Sequence, residues 1–510
     1  VYLAATFQYR KFYEGKSTGQ DNDVLRTWSI IYEAELKGGH VPKRINARIF
    51  NGLAVVLLMG LALGLTLHTR QMIMHWDEFA SYDFTRYPLI EVALMQHDSH
   101  TPLWWVQFWA WWRAFGQSEA VGRWNSLLIT FVTLALAYQV GKSAFRSPLI
   151  GMGAMAVTAL HPFFLRHGLD IRPYPLVLLL ALLSVWALLR WLHQPTAPRA
   201  RFYGLVVALM LYTHYYMALL ALAQGAYALL ARRSQAAWGQ MAQAVGIVLL
   251  LFGPWLPTLI RHYNHLRTVV RPLDARVALA PYPSIPTTPE TVQQFIDLNT
   301  LGVSVGLLLI VGLALLVRRW RLEAGLALAM FALPTAAVFL LNLNISLMVE
   351  RYMVFVVWGP ILLLMAGWAL LDGRLRALRL PVIALCVGGA AALGPTWHKV
   401  YPPVREVWHS IYADWQPGDV LITDNFDDTH KYLRAGHYLP AGFAGFETIT
   451  PEQAPGHARV WHVTDNIFDS AVNANLEFLK QHFSIVRVYG ECNARRCFVG
   501  QLLEPLPPTS

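Results

Sequence analysis

Apolar and polar positions fall in long alternating blocks. Runs of apolar residues cover about 50–68, 124–142, 149–167, 173–193, 202–231, 242–260, 302–318, 324–341, 352–371 and 380–397. Runs of about 17–25 residues are what a helix needs to cross a bilayer, so the pattern predicts a polytopic α-helical membrane protein. The run 202–231 is longer than one span and is broken by Thr213-His214-Tyr215-Tyr216, which predicts two short helices meeting at His214. Between the first two runs lies a polar and aromatic stretch, 70–123. Within it, Pro102 to Phe115 is apolar, short and rich in tryptophan. Tryptophan favours the membrane interface, so this segment is expected to lie in or dip into that interface rather than cross. The period changes after about 400. A turn at Pro417-Gly418-Asp419, strands at 420–423 and 459–463, a helix at 473–482 and a closing strand pair at 484–489 and 497–503 predict a small α/β domain over 401–510.

Charge sets the orientation. Only 14% of residues are charged and 55% are hydrophobic; soluble domains carry about 25% charged residues. The net charge of +10 would suit a nucleic-acid partner in a soluble protein, but here the basic residues sit in short connections. Placing the N-terminus inside collects Lys142, Arg146, Arg190, Arg199, Arg201, Arg232, Arg233, Arg318, Arg319, Arg321, Arg374, Arg376 and Arg379 on one side, with Glu323 and Asp372 as the acidic residues among them. This is the positive-inside pattern. It predicts about 11 spans, a polar cytoplasmic extension over 1–48, a membrane domain over 49–400 and an outside tail. Two outside connections are then long, 70–123 and 261–301. The second carries Arg261, His262, His265, Arg267, Arg271 and Arg276. Three cysteines exclude a disulfide scaffold or a cysteine-rich metal site. Cys492 and Cys497 flank a turn, and spacing leaves a disulfide and two free thiols equally open.

The same topology gathers polar residues near the outside ends of the spans: Asp77, Glu78, His97, Asp98, His100, Arg123, Asp170, Arg172, His214, Glu350 and Arg351. Ionisable groups at membrane depth are costly and mark function by default. Simpler readings exist for some. Arg123 can anchor an interface helix, His97 can be a surface histidine, and Asp170 can pair with Arg172. His75, Asp77, Asp83, His97, Asp98 and His100 offer oxygen and imidazole donors that suit several divalent ions, but their spacing matches no compact ligand motif. No glycine-rich phosphate loop is present.

Six motifs occur in order: His75-Trp76-Asp77-Glu78-Phe79, His100-Thr101-Pro102-Leu103-Trp104-Trp105, Phe115 to Arg123, Ile171-Arg172-Pro173-Tyr174-Pro175, Tyr212-Thr213-His214-Tyr215 and Glu350-Arg351-Tyr352. In this order the chain resembles, over about 50–400, the bacterial branch of the protein O-mannosyltransferase-like superfamily. These are GT-C fold membrane glycosyltransferases that use a polyprenyl-phosphate sugar, and their relatives include the aminoarabinose transferase of lipid A. The family usually has two prolines after the histidine, where Thr101-Pro102 stands here. The resemblance implies a hexosyl- or pentosyltransferase of the inner (plasma) membrane that works on the extracytoplasmic side. It would move a sugar to a hydroxyl of a lipid, glycan or protein acceptor by a single inverting displacement; no cofactor is expected, the lipid-linked sugar being a substrate, and a divalent ion at the oxygen and imidazole donors named above stays an open alternative. By family position Asp77 is the base. Glu78 would orient Asp77 or the acceptor, or help bind the sugar. Two carboxylates in close contact would also favour a proton on one of them. Arg172 and Arg351 suit the donor phosphate, since a guanidinium meets phosphate at two points. His214, His100, Tyr174 and Glu350 complete the expected donor site. The competing class is a transporter or flippase for a lipid-linked glycan. It would predict paired halves, and no repeat is visible.

Overall fold

The computed structural model describes residues 43–69, 74, 76–96, 100–232, 234–269, 320–342, 350–393, 404–423, 447–464, 470–493 and 496–506. The first four apolar runs, between 50 and 193, become α1 (Lys43–Thr69), α5 (Glu119–Phe145), α6 (Pro148–Leu160) and α8 (Tyr174–His193). The long stretch after the first run holds α2 (Trp76–Phe84), α3 (Leu89–Leu94) and α4 (Pro102–Phe115), and α7 (Pro162–His167) follows α6. The long run at 202–231 divides as expected, into α9 (Ala197–Leu211) and α10 (Met217–Ala231), with His214 in the break. Next come α11 (Gln235–Phe252), α12 (Leu256–Val269), α13 (Arg321–Asn342), a 3-10 segment Glu350–Val357, α14 (Trp358–Leu370) and α15 (Arg379–Leu393). Among the described residues, six helical stretches are long and apolar enough to cross a membrane, and Pro148–Leu160 and Met217–Ala231 are shorter apolar helices. The expected run at 302–318, most of the connection 261–301 and nearly all of the extension 1–48 lie outside the described residues.

Small residues let these helices approach closely, as they do where lipid offers no hydrophobic drive for association. A Cβ on Gly141 of α5 would stand 2.8 Å from the Cα of Gly151 in α6, so this crossing admits only glycine. One large cluster of buried apolar side chains joins α5, α6, α8, α9, α13 and α14.

The two ends of the bundle differ in chemistry. At one end Arg232 donates through Nε to the Leu192 carbonyl at 2.9 Å, His193 pairs with Glu323 at 2.8 Å, and Tyr227 donates to the Arg321 carbonyl at 3.0 Å. The basic helix ends grouped by the charge pattern therefore meet in space. Tyr174 opens α8 at the opposite end, about 30 Å away at 1.5 Å per residue.

The tail begins with α16 (Val404–Asp414). It continues with β1 (Val420–Thr423), β2 (Val460–Thr464), α17 (Ser470–His482), β3 (Phe483–Asn493) and β4 (Arg496–Pro505). The sheet order is β1-β2-β4-β3. β1 and β2 are parallel, with Val420 opposite Val460, and β4 runs antiparallel to both β2 and β3. Gly418 supplies the positive φ, 91°, that the predicted turn needs. Asp419 beside it is buried and accepts from the Gln416 backbone N–H at 3.0 Å, Arg459 Nε at 3.0 Å and Trp461 Nε1 at 2.8 Å. That carboxylate ties the turn to β2. The β3–β4 register sets Cys492 opposite Cys497. Their side chains, and with them the disulfide question, lie outside what is described.

The tail is not a separate bead. A second apolar cluster runs from Phe79, Tyr82, Trp104, Trp105 and Phe108 through Trp255 to Trp408, Ile411, Trp461 and Leu502. The helix Pro102–Phe115 is not among the stretches long and apolar enough to cross a membrane, and one of its faces packs on protein. Trp104 and Trp105 are fully buried and Trp112 is buried too. Trp104 stacks on Phe108 at 4.7 Å, and Trp112 meets Tyr82 edge-on. Trp104, Trp105 and Trp112 of α4 belong to the core between the first long connection and the tail, with Trp109 and Trp111 partly buried at its edge.

Candidate active site

Helix α2 begins at Trp76, so Asp77 and Glu78 both lie in its first turn, where the helix dipole favours carboxylates. Neighbours on a helix point about 100° apart. The two carboxylates accordingly take different partners, and the close-pair argument from sequence does not apply. Asp77 Oδ2 lies 2.6 Å from Arg351 Nη1, with the Asp77 side chain 18% and the Arg351 side chain 38% exposed. Glu78 is fully enclosed. Its Oε2 accepts from Arg123 Nη2 at 2.9 Å, its Oε1 is bonded to Arg123 Nη1, and Oε1 also accepts the Ile171 N–H at 2.7 Å.

Those contacts belong to a larger arrangement around the segment 167–172. Arg123, Ser126 and Thr130 lie three and four residues apart, hence on one face of α5. Arg123 Nη1 donates to the Leu169 carbonyl at 3.0 Å, Ser126 Oγ to the Asp170 carbonyl at 2.7 Å, and Thr130 Oγ1 to the Gly168 carbonyl. From α2, Ser81 Oγ donates to the Ile171 carbonyl at 2.9 Å. Four successive carbonyls and one N–H of an irregular, buried segment are thus satisfied by side chains, as buried backbone requires. Arg123, assigned to interface anchoring on sequence, is buried at the centre of this arrangement. Asp170 is not the partner expected for Arg172 either; its carboxylate lies 3.1 Å from His167 Nδ1.

The segment ends by presenting Arg172. Arg172 Nη1 donates to the Asp77 carbonyl at 3.0 Å and to Ser81 Oγ at 3.3 Å, and its guanidinium lies over the Trp105 ring at 5.3 Å. The same Trp105 meets the His100 ring edge-on at 5.7 Å. Two arginines therefore converge on residue 77, one at its main chain and one at its side chain. The buried Nε of each has no hydrogen-bond partner among the described residues. Tyr174 is buried within electrostatic reach of Arg172, Arg351, Tyr352 and Asp77. His214 lies within reach of His100 and Arg172 and packs 5.0 Å from the Tyr352 ring. Its Nδ1 accepts the Tyr216 N–H at 3.2 Å, which leaves Nε2 as the donor of a neutral imidazole.

Asp77, Arg172, Arg351, Tyr174, His214 and His100 thus come together, while Glu78 turns inward to Arg123. Glu350 opens the 3-10 segment, and its side chain lies outside the described residues, as do His75, His97 and Asp98 of the candidate metal set. Sequence reasoning did not single out Trp105, Ser81, Ser126 or Thr130. The helical spacing of Arg123, Ser126 and Thr130 was the available signal. Arg261, one of the basic residues after the sixth run, donates from Nη2 to the Leu94 carbonyl at 3.0 Å, and Tyr215 Oη lies 2.8 Å from His262 Nδ1. These contacts fasten α12 to the first long connection and to the His214 break.

Gly122 packs under this arrangement. A Cβ there would press on the Tyr82 hydroxyl and stand 2.8 Å from Ile171 Cδ1. Gly122→Val is expected to lower the melting temperature and to cost about 1–3 kcal/mol through overpacking. Thermal unfolding of the detergent-solubilised chain measures it; an unchanged melting temperature would show that the 167–172 segment yields without cost.

Residues 99–257 match the family model of the dolichyl-phosphate-mannose-protein mannosyltransferases. No curated protein sequence matches the chain significantly. Among solved structures, ArnT from Cupriavidus metallidurans bound to undecaprenyl phosphate aligns with a TM-score of 0.52 at 15% identity, covering 89% of this chain and 97% of that one. ArnT from the same organism in the apo state gives 0.52 at 14%, over 88% and 97%. The Archaeoglobus fulgidus oligosaccharyltransferase in complex with zinc and sulfate gives 0.48 at 11%, over 80% and 67%. The chain is a multi-pass membrane protein with the GT-C fold of membrane glycosyltransferases. The resemblance of its motifs to the protein O-mannosyltransferase-like superfamily holds, and the matched segment includes four of those motifs.

Proposed function

We propose that the chain transfers a sugar from a polyprenyl-phosphate donor to an acceptor hydroxyl on the extracytoplasmic side of the plasma membrane, by a single inverting displacement. The observation that carries this reading is the convergence of Arg172 and Arg351 on Asp77. A sugar on a lipid phosphate already has a good leaving group. The remaining tasks are to take a proton from the acceptor and to receive the charge of the departing phosphate. Asp77 accepts the proton from the acceptor hydroxyl as its oxygen bonds to the anomeric carbon. The bond from that carbon to the phosphate oxygen breaks, and the lipid phosphate leaves with the electron pair. Arg172 and Arg351 meet its charge, and their buried Nε groups supply further donors. Glu78 holds the α2 turn and the 167–172 segment in register, so it serves Asp77 by position. His100, His214 and Tyr174 surround the donor's sugar and phosphate. A neutral His214 donating from Nε2 suits a sugar hydroxyl or a phosphate oxygen alike. ArnT binding to undecaprenyl phosphate supports a polyprenyl-phosphate donor for this fold.

The test supplies membranes containing the chain with a panel of radiolabelled polyprenyl-phosphate sugars. The expected result is loss of one donor and appearance of label in lipid, glycan or protein. A donor moved across the bilayer intact, with none consumed, would replace this reading with a transporter.

A further inference from the structure

Asp77 and Arg351 are each other's partners, yet each has another task in the function proposed above. A carboxylate paired with a guanidinium is a weak base, because the ion pair favours its charged form. A guanidinium committed to a carboxylate offers the same N–H groups that a phosphate would take. The two roles conflict while the pair is closed. The two arginines are not equivalent in this respect. Arg172 is fastened by the Asp77 carbonyl, Ser81 Oγ and the face of Trp105. Arg351 is 38% exposed, and the Asp77 carboxylate is the acidic group it pairs with. Its neighbours besides Asp77 are Tyr174 and Tyr352, the latter hydrogen-bonded to it and with its ring 5.8 Å away, and neither carries a negative charge to hold it as a carboxylate does.

We propose that Arg351 is a partner-switching residue: the donor phosphate competes with Asp77 for its guanidinium, and donor binding thereby releases Asp77 to act as the base. This rests on the function proposed above and adds the order of events to it. Arg172 is the fixed phosphate contact and Arg351 the exchangeable one. Once Arg351 has turned to the phosphate, Asp77 loses a cation and gains an anionic neighbour. Both changes strengthen it as a base. Proton abstraction is thus withheld until the leaving group is in place.

Two measurements test the switch. The first titrates the purified full chain with farnesyl phosphate and reads affinity without turnover. Removing the competitor by Asp77→Asn is expected to tighten binding about tenfold, and the same change made in an Arg351→Gln background is expected to alter it less than about twofold. No tightening, or equal tightening in both backgrounds, would overturn the proposal, the latter because any loss of negative charge would then suffice. The second needs no variant. In the wild type, the acid limb of kcat reports the donor complex and that of kcat/KM for donor reports the donor-free form. Pairing with Arg351 favours the charged carboxylate, so activity in kcat/KM should persist to lower pH than activity in kcat. Coincident limbs would overturn the switch. Transfer that persists in Asp77→Asn would instead remove Asp77 as base, a failure of the underlying function that the binding cycle does not share.

Discussion

Asp77→Asn is expected to lower sugar transfer by about 10²–10⁴-fold, the contribution a positioned general base makes. The substitution is nearly isosteric. Asn keeps a carbonyl oxygen that can accept from Arg351 Nη1, and the backbone contact to Arg172 through the residue 77 carbonyl is untouched. The neutral amide holds Arg351 more weakly than the carboxylate does, so donor binding should be kept or tightened and the loss falls on kcat. The measurement is single-turnover transfer with pre-bound donor, followed by loss of labelled lipid-linked sugar. A loss confined to KM would indicate that Asp77 contributes binding, and transfer at the wild-type rate would remove it from the chemistry.

Glu78→Leu is expected to be the most destabilising single change at the site, at about 3–5 kcal/mol. The carboxylate is fully enclosed and holds a buried Arg123 together with the Ile171 N–H. Its loss strips the buried guanidinium of its two-point partner, leaving the Glu119 carboxylate at 3.6 Å, and leaves the Ile171 N–H without this acceptor. Removing both charges by Glu78→Leu with Arg123→Met should restore part of the lost stability, since an apolar pair costs less than one orphaned ion. Activity should not return with stability, because Arg123 also holds the Leu169 carbonyl and so the segment that presents Arg172. Melting temperature and transfer rate measured on the two variants separate these effects. Full stability in Glu78→Leu would mean that the pair does not hold the 167–172 segment in place.

The chemistry of the site was more legible than its construction. Asp77, Arg172, Arg351 and His214 were readable because ionisable groups at the ends of apolar runs are costly and stand out against a bland background. Their neighbours did not stand out. Ser126 and Thr130 are ordinary residues of an apolar helix, and their value comes from the carbonyls of a segment some forty positions away. Arg123 resembled an interface anchor because its partner Glu78 is 45 positions earlier in the chain. The Asp77-Glu78 pair suggested like-charge repulsion, but adjacency along a helix separates side chains, and each carboxylate found its own arginine.

What the sequence by itself determined is the solvent in which this chain folds and which of its basic helix ends gather together. The length of the apolar runs, the break at His214 and the grouping of arginines follow from bilayer thickness and from the cost of moving charge, which act on each segment locally. The turn residues and short β-rich runs of the tail likewise marked its strands. Tertiary structure alone decided which polar residues became neighbours, that Trp104, Trp105 and Trp112 of α4 would share a core with the tail, and that β4 would stand between β2 and β3. Those choices depend on pairing between distant segments. An aromatic ring or a buried carboxylate is satisfied by any partner of the right shape and charge, and only the packed chain determines which one it meets.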